Sequence, residues 1–348
     1  MTKEKQNNIV ILLQNYFAFL IIKDKFRHFF YITYYIINPN RRRNMEETIE
    51  FYGFRGNIIF PNQVTLYSLG YVNNSENKNK VFKEFFYELK ENGKVDSKYQ
   101  KRKYYMIFIN QYDTIVHCQL ARERIYDKYE MTNEKIVGTK DQDYPFINVF
   151  IETESQKFLI ESKTTIFENY NTCKDVIENI MNKYLRKIDA TININPILEE
   201  QEFWSFFEND NEVKSLSFNL TVPNIFDASD DATDFLNGAR DNVGASNVSL
   251  NFSNSEGKLE PNKNGINSYI KYTSAGGGTW HLKYKNKEGK TININSEQKS
   301  KKISIDFYKE EINSLDKEKI KIIKYEMNKI ETIEKFKEDV NEKEDNDN

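Results

Sequence analysis

The sequence is poor in the residues that build covalent frameworks and metal centres. It has two cysteines, Cys118 and Cys173, in 348 residues. Two cannot make a disulfide framework or a four-cysteine zinc site, and we expect a reducing, cytoplasmic setting. Three histidines, His28, His117 and His281, leave little material for a histidine-based metal centre. No charge sign dominates: 50 Lys+Arg stand against 53 Asp+Glu, a net −3. That excludes a generally basic nucleic-acid binder but leaves room for a local patch. No apolar run reaches the ~18–20 uninterrupted residues of a membrane span. G-x-S-x-G, H-E-x-x-H and C-x-x-C are all absent. Gly276-Gly277-Gly278 leads into Thr279-Trp280 rather than Lys-Ser/Thr, which excludes a P-loop. The triple glycine reads as a tight turn or as a place where backbone approaches a phosphate or a partner.

What is present is a foldable, aromatic-rich chain with uneven charge. Apolar residues make up 39% and aromatics 14%, enough for a core rich in Phe and Tyr. Residues 1–44 carry 8 Lys+Arg against 2 acids, so the remaining 304 carry 42 against 51. Arg41-Arg42-Arg43-Asn44 precedes Met45, as an in-frame purine-rich ribosome-binding site would in an AT-rich gene. We expect Met45 to be the functional start, with a weak membrane anchor or a native extension as the alternatives.

The periodicities predict an α+β protein with antiparallel hairpins and a C-terminal amphipathic helix. Strands are expected at Thr48–Arg55 and Gln63–Leu69, then a helix at about Asn79–Glu91 with Val81, Phe82, Phe85, Phe86 and Leu89 on one face. Tyr104–Asn110 with Thr114–Arg122, and Phe146–Glu152 with Lys157–Ser162, read as two hairpins. A helix at Thr172–Arg186, a strand at Ala190–Pro196 and a short helix at Glu199–Phe207 complete an N-terminal domain, 45–212. A second α+β domain, 213–307, begins with the strand Ser215–Val222. It continues through helices at Asp231–Arg240 and Asn264–Tyr272 and strands at Asn247–Phe252, Thr279–Lys285, Thr291–Asn295 and Lys302–Phe307. The charged tail, 308–348, has an apolar stripe of Ile320, Ile323, Met327, Ile330 and Ile333. That stripe must pack on the body or on another chain, so homo-oligomerisation through it is one expectation.

Two clusters break the acidic background. Lys94–Arg124 holds 7 Lys+Arg against 3 acids, with Lys101, Arg102 and Lys103 beside tyrosines. Thr279–Lys302 holds 7 Lys against 2 acids, with Trp280 interleaved. Cations neutralise phosphates and aromatics stack bases, so both clusters suit DNA or RNA bound without sequence preference. The expected contacts are Lys101, Arg102, Lys103, Arg122 and Arg124, then Trp280, Lys283, Lys285, Lys287 and Lys290. An ordinary solvated hairpin is the plain alternative. For catalysis the sharpest signal is Glu161-Ser162-Lys163 at the end of an apolar strand, which resembles the second half of a PD-(D/E)xK nuclease motif. That resemblance implies Mg²⁺ held by Glu161 and an earlier carboxylate, with Asp141, Asp143 and Glu152 the near candidates, and Lys163 polarising the attacking water. The adjacent His117 and Cys118 point to opposite faces of one strand and read as core residues.

In order of elements, the hairpin Phe146–Lys163, the amphipathic helix Thr172–Arg186 and the strand Val213–Pro223 resemble bacterial and phage-encoded defence proteins of the RexA-like and KwaB-like kind. The resemblance implies two α+β domains and sequence-independent DNA binding. We expect a non-enzymatic component of an antiphage system, with no cofactor and with a partner protein as one expectation.

Overall fold

The computed structural model describes residues 46–60, 75–133, 135–208, 211–222, 230–255, 258–308 and 317–344. The strand expected at Gln63–Leu69 and everything expected of residues 1–44 lie outside them. The class is α+β, with a C-terminal helix. Residues 48–305 and 315–348 form one compact unit.

An eight-stranded sheet organises most of that unit. Its strands are β1 (Glu46–Ile59), β2 (Lys94–Tyr99), β3 (Arg102–Tyr112), β4 (Ile115–Arg122), β7 (Phe146–Glu152), β8 (Lys157–Glu161), β9 (Thr191–Pro196) and β14 (Lys302–Tyr308). The order is β14-β1-β8-β7-β4-β3-β2, and β9 also pairs with β1. The Gly53 N–H donates to the Lys301 carbonyl, and its own carbonyl accepts from the Ile197 N–H. Both neighbours therefore lie on the edge of β1 opposite β8.

Period-two alternation gives this sheet two buried faces, one apolar and one rich in polar and charged groups. Val116, Cys118 and Leu120 of β4 share one face with Ile147, Val149 and Ile151 of β7 and Phe158 and Ile160 of β8. Helices α1 (Ser75–Asn92) and α2 (Tyr170–Leu185) cover that face with Phe82, Phe85, Val176, Ile177 and Met181. The Asn169 side chain caps α2 by accepting from the Thr172 N–H, which satisfies one otherwise orphan donor. The other face carries Arg55, His117, Asn148, Phe150, Glu152, Lys157 and Glu161, all buried.

Helix α6 (Lys317–Glu344) packs on this second face. Lys157 Nζ donates to the Met327 carbonyl at 3.4 Å, and Lys324 Nζ meets the Asp113 carboxylate at 2.8 Å. Ile320, Ile323, Met327 and Ile330 are all buried. These four residues of the stripe therefore pack on their own chain, the first of the two places expected for it, while Ile333 lies outside the residues whose side chains are described.

A four-stranded antiparallel sheet lies in the same unit. Its order is β11 (Asn247–Ser253), β10 (Glu212–Thr221), β12 (Gly278–Lys285), β13 (Thr291–Asn295). Helices α3 (Glu200–Glu208), α4 (Asp230–Val243) and α5 (Lys263–Tyr272) contribute Phe203, Ala232, Leu236, Ile270 and Tyr272 to its core. The glycines at its entry serve packing. Gly276 adopts φ +87°, and its carbonyl accepts from Asn57 Nδ2. A Cβ on Gly278 would sit 2.2 Å from the Asn219 carbonyl oxygen. Of the two readings of the triple glycine, the packed turn is the one these contacts describe.

A last pair, β5 (Arg124–Met131) and β6 (Ile136–Asp143), bonds only to each other. Every residue of β5 is exposed. Among the described residues no helix is long and apolar enough to cross a membrane.

Candidate nucleic-acid interface

The small sheet has one covered face and one open face, and strict alternation separates them. Leu216, Phe218 and Leu220 of β10 point to the helices, with Trp280 and Leu282 of β12 beside them. The intervening positions form the open face. Ser217 pairs across to His281, which pairs to Asn295; Ser215 pairs to Lys283, which pairs to Asn293. On the far side, Asn219 lies opposite Ser249 and accepts its hydroxyl at 3.0 Å. Ser, Asn and Thr thus recur at every second position of β10, β11 and β13, and β12 adds His281 and Lys283 between them.

The two central rungs frame an open depression of about 270 Å³, lined by Ser215, Ser217, His281, Lys283, Asn293, Asn295 and Gln298. Among the described residues, the side chains of Ser217, His281, Lys283, Asn293 and Gln298 make no hydrogen bond within the chain. They are donors and acceptors left for solvent or for a ligand. Charge on the face is one-sided. β11, β12 and β13 contain no Asp or Glu, and Glu212 at the start of β10 is the one acid in the sheet. Lys283 and Lys285 stand exposed on this face, and Lys287 and Lys290 continue from it in the turn to β13. The Asn286 side chain holds that turn by accepting from the Lys290 N–H at 2.9 Å.

The structure thus brings together four of the five contacts expected from this segment and removes the fifth. Trp280 is on the opposite face, 1% exposed, with its ring centroid 5.3 Å from Phe203 and 6.0 Å from Phe206. Its indole is part of the core and has no face for a base. The reason is the strand period: Trp280 and Lys283 are three apart and so point to opposite sides.

The five cations expected from the first cluster do not converge. Lys101 sits at φ +67° in the β2–β3 turn. Arg102 reaches Glu168 at 3.5 Å, while Lys103 lies over the Tyr105 ring at 4.9 Å, on the other face of β3. Contact with Tyr105 raises the Lys103 pKa. Arg122 pairs across the sheet with Tyr104. Arg124 is bound through two nitrogens to Asp143 on the β5–β6 hairpin, and this pairing lowers the Asp143 pKa.

The expected nuclease residues are engaged in two ion pairs. Lys163 Nζ does meet Glu161 Oε1 at 2.7 Å. The Glu161 carboxylate also accepts from the Asn148 N–H at 2.8 Å and from its Nδ2 at 2.7 Å. Asp143 is paired with Arg124. No cluster of three or more His, Cys, Asp or Glu able to hold a metal ion occurs among the described residues. Asn148 also meets His117 Nε2 at 2.9 Å, and burial lowers the His117 pKa. His117 and Cys118 sit on opposite faces, both buried.

Sequence reasoning found the lysines of the open face but not the amides and hydroxyls beside them. Their signal was present: Ser215-x-Ser217-x-Asn219, Asn247-x-Ser249-x-Asn251 and Thr291-x-Asn293-x-Asn295 each place a polar residue at every second position. No protein-family model, curated protein or solved structure matches the chain.

Proposed function

We propose that this chain binds DNA or RNA without reading sequence, through the open face of the small sheet. In this reading it is a non-enzymatic, cytoplasmic component of an antiphage defence system. The observation that carries the proposal is the face itself: an almost acid-free surface, in a chain with 53 acids, set with unpartnered Ser, His and Asn side chains and flanked by Lys283 and Lys285. Phosphate oxygens accept from lysines, hydroxyls and amides alike, and such contacts position a strand without reading bases. With Trp280 buried, the face lacks an aromatic platform. Affinity would rest on phosphate contact rather than base stacking, which favours sequence tolerance. The defence setting rests on the resemblance to RexA-like and KwaB-like proteins.

The test is binding of labelled single- and double-stranded oligonucleotides across a salt series. Binding that weakens steeply with salt, and weakens again in Lys283→Ala/Lys285→Ala, supports the proposal. No shift at low salt defeats it. Adding Mg²⁺ to the same reactions tests the nuclease alternative: cleavage abolished by Glu161→Ala would replace the non-enzymatic reading.

A further inference from the structure

The β5–β6 hairpin stands apart from both larger sheets, and its two faces differ sharply. Direct pairing places Ile125, Asp127, Tyr129 and Met131 on one face with Gln142, Lys140, Gly138 and Ile136. The other face is closed by its own charges, including Arg124 with Asp143 and Lys128 with Glu130. The first face is open and carries four large apolar side chains around the Asp127–Lys140 rung. Ile125 is 63% exposed, Tyr129 70%, Met131 85% and Ile136 65%. Tyr129 lies against Gly138, where an added Cβ would be 3.2 Å from its ring, so the face is flat at its centre.

We propose that this face is a dimerisation surface whose partner is the same face of a second copy of this chain. Three observations favour a second copy. First, a two-stranded hairpin is marginal in water by itself, and a facing layer supplies the burial that it lacks. Second, the area is of the right size. At roughly 200 Å² per large side chain, the exposed parts of these four amount to about 550 Å². Two copies would bury about 1,100 Å², close to the ~1,200 Å² at which specific pairs begin, before polar flanks are counted. Third, the charges are self-complementary. Asp127 and Lys140 lie directly opposite each other, yet neither has an ion-pair partner among the described residues. A two-fold axis parallel to the strands, midway between the two facing hairpins, sets each Asp127 against the Lys140 of the other copy, as an isologous interface requires.

The experiment is light scattering on the full chain over a dilution series, after nuclease treatment so that nucleic acid cannot bridge copies. Wild type is expected at twice the single-chain mass, and Met131→Lys at the single-chain mass with an unchanged circular dichroism spectrum. Asp127→Lys and Lys140→Asp alone are each expected to weaken association about tenfold, and the two together to restore it. A monomeric wild type overturns the proposal and leaves the face to a different protein. A dimer unaffected by Met131→Lys, or single charge reversals that the double does not rescue, overturns it as well.

Discussion

Replacing Lys157 by Met is expected to stabilise the protein at neutral pH and to flatten its alkaline stability profile. Lys157 is 2% exposed and lies directly across from Arg55, which is equally buried. Burial, and then the Arg55 charge, lowers its pKa from 10.5 to about 7. The sign follows from proton counting. Between about pH 7 and 10.5 the unfolded chain holds the proton and the folded chain does not, so stability rises with pH across that window. At about 1.36 kcal/mol per unit, the full rise attributable to Lys157 is about 5 kcal/mol. Met keeps the length of the side chain and removes the titration. It also removes the hydrogen bond to the Met327 carbonyl, a loss of about 1 kcal/mol. Urea unfolding of both proteins at a series of pH values reads the difference. The variant should be the more stable near pH 7, with the gap closing as pH approaches 10.5. Parallel curves would refute the reasoning, because they would mean that Lys157 titrates alike in both states.

Further outcomes are expected from three other sites. Trp280→Ala should cost about 3–5 kcal/mol in urea unfolding while leaving the salt dependence of nucleic-acid binding unchanged, since the indole is core. Gly278→Ala should cost more than about 3 kcal/mol, because its Cβ meets backbone that cannot yield; a soluble, equally stable variant counts against the β10–β12 register. Glu161→Ala should lose about 1–3 kcal/mol, measured by thermal or urea unfolding, because it strands the buried Asn148 donors.

Elements with a strong apolar period were legible in the sequence. Val81, Phe82, Phe85, Phe86 and Leu89 marked α1, and the hairpin around Thr153–Gln156 is formed by β7 and β8 within a residue of the expected ends. The β5–β6 hairpin was not legible, because Asp127 and Lys140 interrupt the alternation of a face that does not enter the core. β2 was equally hidden: Lys94, Asp96 and Lys98 give a polar strand buried only at Ser97. In the site, charge was readable and direction was less so. Lys283 and Lys285 are two apart and share a face, whereas Trp280 is an odd number of residues from both and belongs to the core. For the first cluster, closeness in sequence did not become closeness in space. Arg102 and Lys103 fall on opposite faces of β3, and Arg124 begins a different strand.

The most direct measurement is the salt dependence of oligonucleotide affinity for wild type and Lys283→Ala/Lys285→Ala, read by fluorescence anisotropy. Each phosphate contact contributes about 0.7 to the log–log slope for a single strand and about 0.9 for a duplex. The double variant should therefore bind more weakly, with a slope shallower by about 1.4 or about 1.8 respectively. An unchanged slope would place the contact elsewhere on the protein, and no wild-type binding at low salt would contradict the account outright.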